Sequence, residues 1–278
     1  MRAWFRLAIA TVACAAAASL TVSAQWLHLP YPNAPRNKDG SINMTGPAPR
    51  LDGTPDLSGV WQLPGEPRGP NGLFGLGESL NSKYFRDVLS DFPANARPLT
   101  PEGAERLRQH GQPGVFNPTL NCLPDGVPHG ELLPEPFKIV HSRGLIVMLY
   151  EVETTFRQIH LDGRALPVDP SPTWQGYSVG HWDGDTLVID TIGFNDRGWL
   201  DARGTPHSED LRVEERFHRR DYGHLDLSIT LTDPKTFTQP ISFSVTEELL
   251  PDTDVLEHYC LENEKDDAHT RGNAARQP

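Results

Sequence analysis

The chain has 278 residues, with 25 basic against 37 acidic side chains and a formal net charge of −12. An acidic chain without a basic stripe is poorly suited to nucleic acid or to an anionic membrane surface. Its length and 37% hydrophobic content suffice for one domain with a sizeable core, or for two small ones.

Residues 1–24 carry the pattern of a secretory signal peptide. Arg2 and Arg6 precede an apolar run from Leu7 to Leu20, and Val22-Ser23-Ala24 forms a small-residue cleavage site. The alternative is a lipoprotein anchored at Cys14. Either way the chain is expected to be secreted or periplasmic. No later run approaches the ~18 apolar residues of a membrane span, so no membrane insertion is expected. Cys122 and Cys260 then remain as an even pair in an oxidising setting, and one disulfide is expected between them.

Residues 25–55 form a proline-rich leader without apolar period, read as an extended tether or a wrapping arm. A single domain is expected over 56–262, followed by a polar tail at 263–278. It opens with a short strand, Asp56 to Trp61, and a Gly/Pro-rich loop at 64–78. A helical insertion is predicted at 80–110. Leu80, Tyr84, Phe85, Val88, Leu89 and Phe92 recur at helical spacing until Pro93. A second helix runs from Thr100 as N-cap and Pro101 at the first position to Gly111. Residues 112–136 return to proline-rich loop.

From Phe137 onward the pattern is strands joined by short turns. They cover 137–141, 145–152, 154–161, a hairpin around Asp183-Gly184-Asp185, and then 211–220, 224–232, 241–250 and 255–261. Leu225, Leu227, Ile229 and Leu231 alternate with polar residues, which marks one buried face. The fold class is therefore mostly β, an antiparallel calycin- or lipocalin-like β-barrel, with a β-sandwich as the alternative.

The strand start Gly59-Val60-Trp61 resembles the G-x-W motif that opens lipocalins and other calycins. That resemblance implies a small barrel enclosing one apolar ligand. The run G-H-W-D-G-D-T-L-V-I-D-T-I-G-F-N-D from Gly180 resembles a group of uncharacterised secreted bacterial proteins. Cys122-Leu123-Pro124-Asp125-Gly126-Val127-Pro128 is similar to that group as well. This second resemblance implies secretion and carries no catalytic residues.

Strand parity asks which polar groups face inward. Glu215 shares the face of Leu211, Val213 and Phe217, and Glu247 that of Ile241, Phe243 and Val245. Glu151 shares the face of Leu145, Val147 and Leu149. Carboxylates on apolar faces are either pocket acids of raised pKa or partners of an arginine such as Arg157, Arg216 or Arg219. The segment Trp174 to Asp201 concentrates Trp, His and Asp beyond what its turns require. His181 is the candidate base there, with Asp190 or Asp196 to orient it and Arg157 or Tyr150 to hold developing negative charge. Trp174, Trp182 and Trp199 are candidates for an aromatic wall, with His207, Glu215 and Glu247 lining the same pocket. No metal-ligand spacing and no nucleotide-binding motif is present, so no cofactor is expected. The expected function is a pocket for an apolar or aromatic small molecule, with cofactor-free acid–base catalysis by a lyase, isomerase or hydrolase step. The alternatives are a binding protein without turnover and a cell-envelope interaction module.

Overall fold

The computed structural model describes residues 33–64, 86–112 and 114–260. The signal peptide with Cys14, the start of the leader, the first half of the predicted helix with Leu80, Tyr84 and Phe85, and the tail from 263 lie outside the described residues.

Two short strands, β1 (Arg50–Leu51) and β2 (Thr54–Pro55), pair with each other. Nine further strands form a closed barrel in chain order: β3 (Gly59–Gln62), β4 (Phe137–Ser142), β5 (Leu145–Tyr150), β6 (Phe156–His160), β7 (Tyr177–Asp183), β8 (Thr186–Ile192), β9 (Arg212–Arg219), β10 (His224–Thr232) and β11 (Ile241–Leu249). The ring closes where β11 pairs with β3, Leu249 opposite Trp61.

Every neighbouring pair is antiparallel except β6 and β7. The odd strand number requires this. Nine antiparallel steps round a ring would return to the first strand pointing the wrong way. The crossover at 161–176 makes the parallel step by carrying the chain back to the end of the barrel where β6 began. The barrel is thus mixed, where the sequence suggested an antiparallel one.

Turn chemistry sets the hairpins. Asp183 lies opposite Thr186, which leaves Gly184-Asp185 as a two-residue loop with Gly184 at φ 62°. Glycine takes this conformation without a Cβ clash, and such loops match the twist of the flanking strands.

Only one α-helix is present among the described residues, α1 (Pro101–His110). Thr100 caps it by accepting from the Gly103 amide, and Pro101 occupies the first turn, where its missing N–H costs nothing. The described part of the predicted first helix, 86–92, is a run of turns. Val88 and Leu89 are nevertheless fully buried, so their spacing signalled burial rather than helix. The predicted strand at 255–261 is not one either. Its described residues form a strap without ladder pairing, held by Leu256 N–H to Glu151, by Thr154 to His258 and by Lys138 to Asp254. The strap ends at Cys260, which is bonded to Cys122.

Inward-facing side chains form two apolar clusters. One contains Trp61, Phe137, Met148, Ile159, Leu187, Phe217, Leu225 and Leu249. The other contains Phe194, Leu211, Val213, Ile229, Leu231, Ile241 and Phe243, with Val88, Leu89, Val127 and Leu132 from the loops that cover that end. Residues 33–55 lie along the barrel. Ala34 joins the first cluster, Gly46 and Met44 accept from the Tyr222 and Gly223 amides, and Arg50 pairs with Asp185.

Candidate functional site

Between the two apolar clusters lies a polar layer. On β9 the inward residues run Val213, Glu215, Phe217, and the two hydrophobic ones belong to different clusters. Glu247 stands likewise between Phe243 and Leu249 on β11. Arg157 on β6, Ser178 on β7, Thr191 on β8 and Tyr150 at the end of β5 complete the layer from the wall. All are buried. Glu131 enters from a short 3-10 turn, His129–Glu131, and is fully buried.

Arg157 organises this layer. Its Nε donates to Ser178 Oγ at 3.0 Å, and its Nη1 to Glu131 and Glu215 at 3.1 Å each. Its Nη2 donates to Thr191 Oγ1 at 2.8 Å and to the second oxygen of Glu215. A guanidinium has five N–H groups, and each has an acceptor here. The pairing with Glu215 is bidentate, the strong form of this contact. Burial alone would lower the pKa of Arg157, but Glu215 holds it above its usual value, so it stays charged. Tyr150 donates its hydroxyl to the same Glu131 oxygen that accepts from Arg157. Its phenol is raised well above the ordinary value by burial and by Glu131, so it remains a donor.

The layer therefore holds one guanidinium and three carboxyl groups. Burial, then the Glu215 charge, pushes Glu131 up to about 7 against the pull of Arg157 and Tyr150. Burial, then the Glu131 charge, raises Glu247 well above the ordinary carboxylate range. Among the described residues no group donates to either oxygen of Glu247 or to Glu131 Oε2. Buried polar atoms are almost always hydrogen-bonded, so three unpartnered carboxyl oxygens in one layer are unusual.

The loop that delivers Glu131 carries a second buried pair. Asp125 Oδ1 accepts from Thr119 at 2.6 Å and stands 3.4 Å from His129 Nδ1. Gly130 lets this turn press against the Tyr150 ring, since a Cβ there would meet the ring at 3.0 Å. The disulfide to Cys260 ties the same loop to the strap.

The structure brings together Arg157, Tyr150, Glu215 and Glu247 from the residues singled out in the sequence. It does not bring His181, Asp190 or Asp196 to them. His181 is exposed on the outer face of β7, because Ser178 and the partly buried Trp182 take the inner one. Asp190 also faces outward and pairs with Arg212 at 2.6 Å. Asp196 is exposed in a loop, where its carbonyl accepts from Arg106.

The three tryptophans form no common wall. Trp174 lies under the Arg197 guanidinium, Trp182 packs beside His141, and Trp199 stacks on His110 of α1. His207 is buried beside Phe194, with its ring at 3.1 Å from the Ser208 carbonyl, and burial lowers its pKa. Ser208 donates to Asp233 and not to His207, so no triad forms there.

Glu151 is corrected as well. The inward residues of β5 are Ile146, Met148 and Tyr150, and the chain turns helical at Glu151, which caps the strap instead. Glu131, His129 and Asp125 had not been singled out. They lie on an irregular loop with no alternation to reveal a facing.

Among the described residues no group of three or more His, Cys, Asp or Glu is placed to hold a metal ion, and no helix is long and apolar enough to cross a membrane. Comparison with protein-family models, with curated proteins and with solved structures returns no match.

Proposed function

We propose that this protein is a secreted or periplasmic barrel that receives an apolar or aromatic small molecule, whose polar head completes the hydrogen bonding of Glu247 and Glu131. The observation that carries this reading is Glu247. It is fully buried on the inner face of β11, and neither oxygen has a donor among the described residues. A stability-driven interior would replace such a group by a hydrophobic one, because an unsatisfied buried polar group costs ~1–3 kcal/mol. A ligand that supplies the missing partner accounts for its presence. The disulfide and the signal-like pattern of residues 1–24 support an oxidising compartment.

A catalytic form of the same reading rests on Glu131. A carboxyl with a pKa of about 7 can take and return a proton at neutral pH without a cofactor. Tyr150 and Arg157 both donate to its Oε1 and fix the position of the carboxyl. The reaction would be a lyase, isomerase or hydrolase step centred on Glu131, in place of His181.

Native mass spectrometry against a library of apolar and aromatic small molecules tests the binding. Saturable adducts that weaken in Glu247→Leu are expected. A chain that takes up none of them, with no shift in Tm, overturns the proposal. Substrate turnover lowered at least ~10²-fold in Glu131→Gln would establish the catalytic form.

A further inference from the structure

The donors and acceptors of the interior layer do not balance, and the imbalance has a direction. The guanidinium of Arg157 is saturated by Ser178, Thr191, Glu131 and Glu215. The Tyr150 hydroxyl is spent on Glu131. What is left is three acceptor atoms, Glu131 Oε2 and both oxygens of Glu247, with no donor among the described residues. The ionisable groups lean the same way: one cation stands against three carboxyl groups, so the layer would be two charges negative if all three were ionised.

We infer that the interior centre takes a small molecule carrying a primary or secondary ammonium group on an apolar or aromatic body, seated between Glu247 and Glu131. The inference rests on the small-molecule reading above and narrows it to a class of ligand. An ammonium brings N–H donors and one positive charge, the two things the layer lacks, and adds no acceptor. A carboxylate or phosphate ligand would add acceptors and negative charge where both are in excess. A neutral carbonyl would leave two of the three oxygens unpartnered, even with Glu247 protonated. The body of the ligand has apolar neighbours to meet. Leu225 lies opposite Glu247 in the β10–β11 register, and Val245 and Leu249 are the next inward residues along β11.

Burial, then the Glu131 charge, favours the neutral form of Glu247. An arriving ammonium stays protonated and pairs with the carboxylate, so the Glu247 proton leaves to solvent. The binding reaction is therefore ligand cation plus neutral acid giving an ion pair plus a free proton.

Three probes of the same shape and different charge decide the matter: 2-phenylethylamine, 2-phenylethanol and 3-phenylpropionate. Each is titrated calorimetrically into the disulfide-bonded chain at neutral pH, in two buffers of different ionisation enthalpy. The amine is expected to bind at least tenfold tighter than the alcohol, with net proton release, and the carboxylate to bind least. Glu247→Gln keeps the volume of the side chain and is expected to abolish the proton release and the preference for the amine, while alcohol binding persists. Glu131→Gln is the second variant should Glu247→Gln fail to fold, and it too is expected to reduce the preference. An alcohol or carboxylate that binds as well as the amine overturns the inference and leaves the small-molecule reading standing. Binding of none of the three overturns the inference, and the small-molecule reading then stands or falls with the library screen.

Discussion

Arg157 shows how one side chain can be indispensable without adding net stability. Its guanidinium is buried with two carboxyl groups, and desolvating such charges offsets most of what their attraction returns. Removing the cation alone leaves Glu215 and Glu131 facing each other without compensation. Arg157→Met is therefore expected to cost ~3–5 kcal/mol in urea denaturation at neutral pH. Arg157→Lys is expected to recover little of this, since an ammonium cannot present the planar fork that engages four residues. The two raised carboxyls of this layer, Glu131 and Glu247, contribute to the pH dependence of the fold. A carboxyl whose folded pKa exceeds its unfolded value stabilises the fold below the unfolded value and loses that contribution as pH rises through the folded one. For Glu131 the window runs from 4.5 to about 7, and for Glu247 it starts at the same value and extends well above it. The depressed His207 and His110 act oppositely, since their stabilisation is lost as pH falls below 6.5. Comparing variants cancels the histidines. As pH rises above 4.5, Glu247→Gln should lose up to about 1.4 kcal/mol less stability per pH unit than the parent chain, the value for one proton. Parallel pH profiles in the two chains would refute a neutral Glu247.

At the level of elements, strands were legible wherever one face is apolar and the other polar. On β9, β10 and β11 the alternation is clean, and it pointed Glu215 and Glu247 inward, where the structure has them. On β5 it could not work, because Leu-Ile-Val-Met-Leu-Tyr is apolar on both faces and a one-residue shift inverts the assignment. The error at Glu151 came from that strand. The same alternation would have placed His181 outside, since it and Trp182 are consecutive and only one can face the core. The density of reactive side chains in that segment carries no information about which way each one faces. Glu131 was beyond reach, because a 3-10 turn between prolines has no period and its direction is set by where the loop docks. Helix α1 was legible from its cap, Thr100-Pro101, but its docking was not. Gly103 is its only fully buried residue, and it lies against the backbone of Thr236, where an added Cβ would stand 2.3 Å from the carbonyl oxygen. Gly103→Ala should raise intrinsic helix propensity by up to ~1 kcal/mol and yet destabilise the chain, because neither backbone can give way. A net loss of ~1–3 kcal/mol in thermal denaturation is expected. A stabilised Gly103→Ala variant would mean that the helix is not held against Thr236.

Across the whole molecule, the barrel is unevenly sewn. β9, β10 and β11 pair over eight residue pairs at each contact, and β7 with β8 over seven. The parallel contact of β6 with β7 has two residue pairs, and the closing contact of β11 with β3 has two. The parallel step is unavoidable in a nine-stranded ring, so one seam of this kind is built into the topology. Arg157 lies beside it. Its side chain leaves β6, bonds Ser178 on β7, and reaches Thr191 on β8 and Glu215 on β9. The ladder that is missing between backbones is thus partly replaced by a side-chain bridge across three neighbouring strands. The β11–β3 closure has a different support. Arg219 lies over the Trp61 ring at 4.9 Å and donates to the carbonyls of Asp56 and Ser58. Opening of a folded protein follows its least-paired segments, and amide exchange reports the free energy of each opening. Amides of β9 and β10 are therefore expected to exchange slowest, near the rate set by global unfolding, and those of Ile159 to His160 and Ser178 to Val179 faster. In Arg157→Met the β6–β7 amides should speed up more than global destabilisation explains, while those at the β11–β3 closure change only with the global term. A uniform change across both seams would show that Arg157 acts on the barrel as a whole and does not bridge the parallel one.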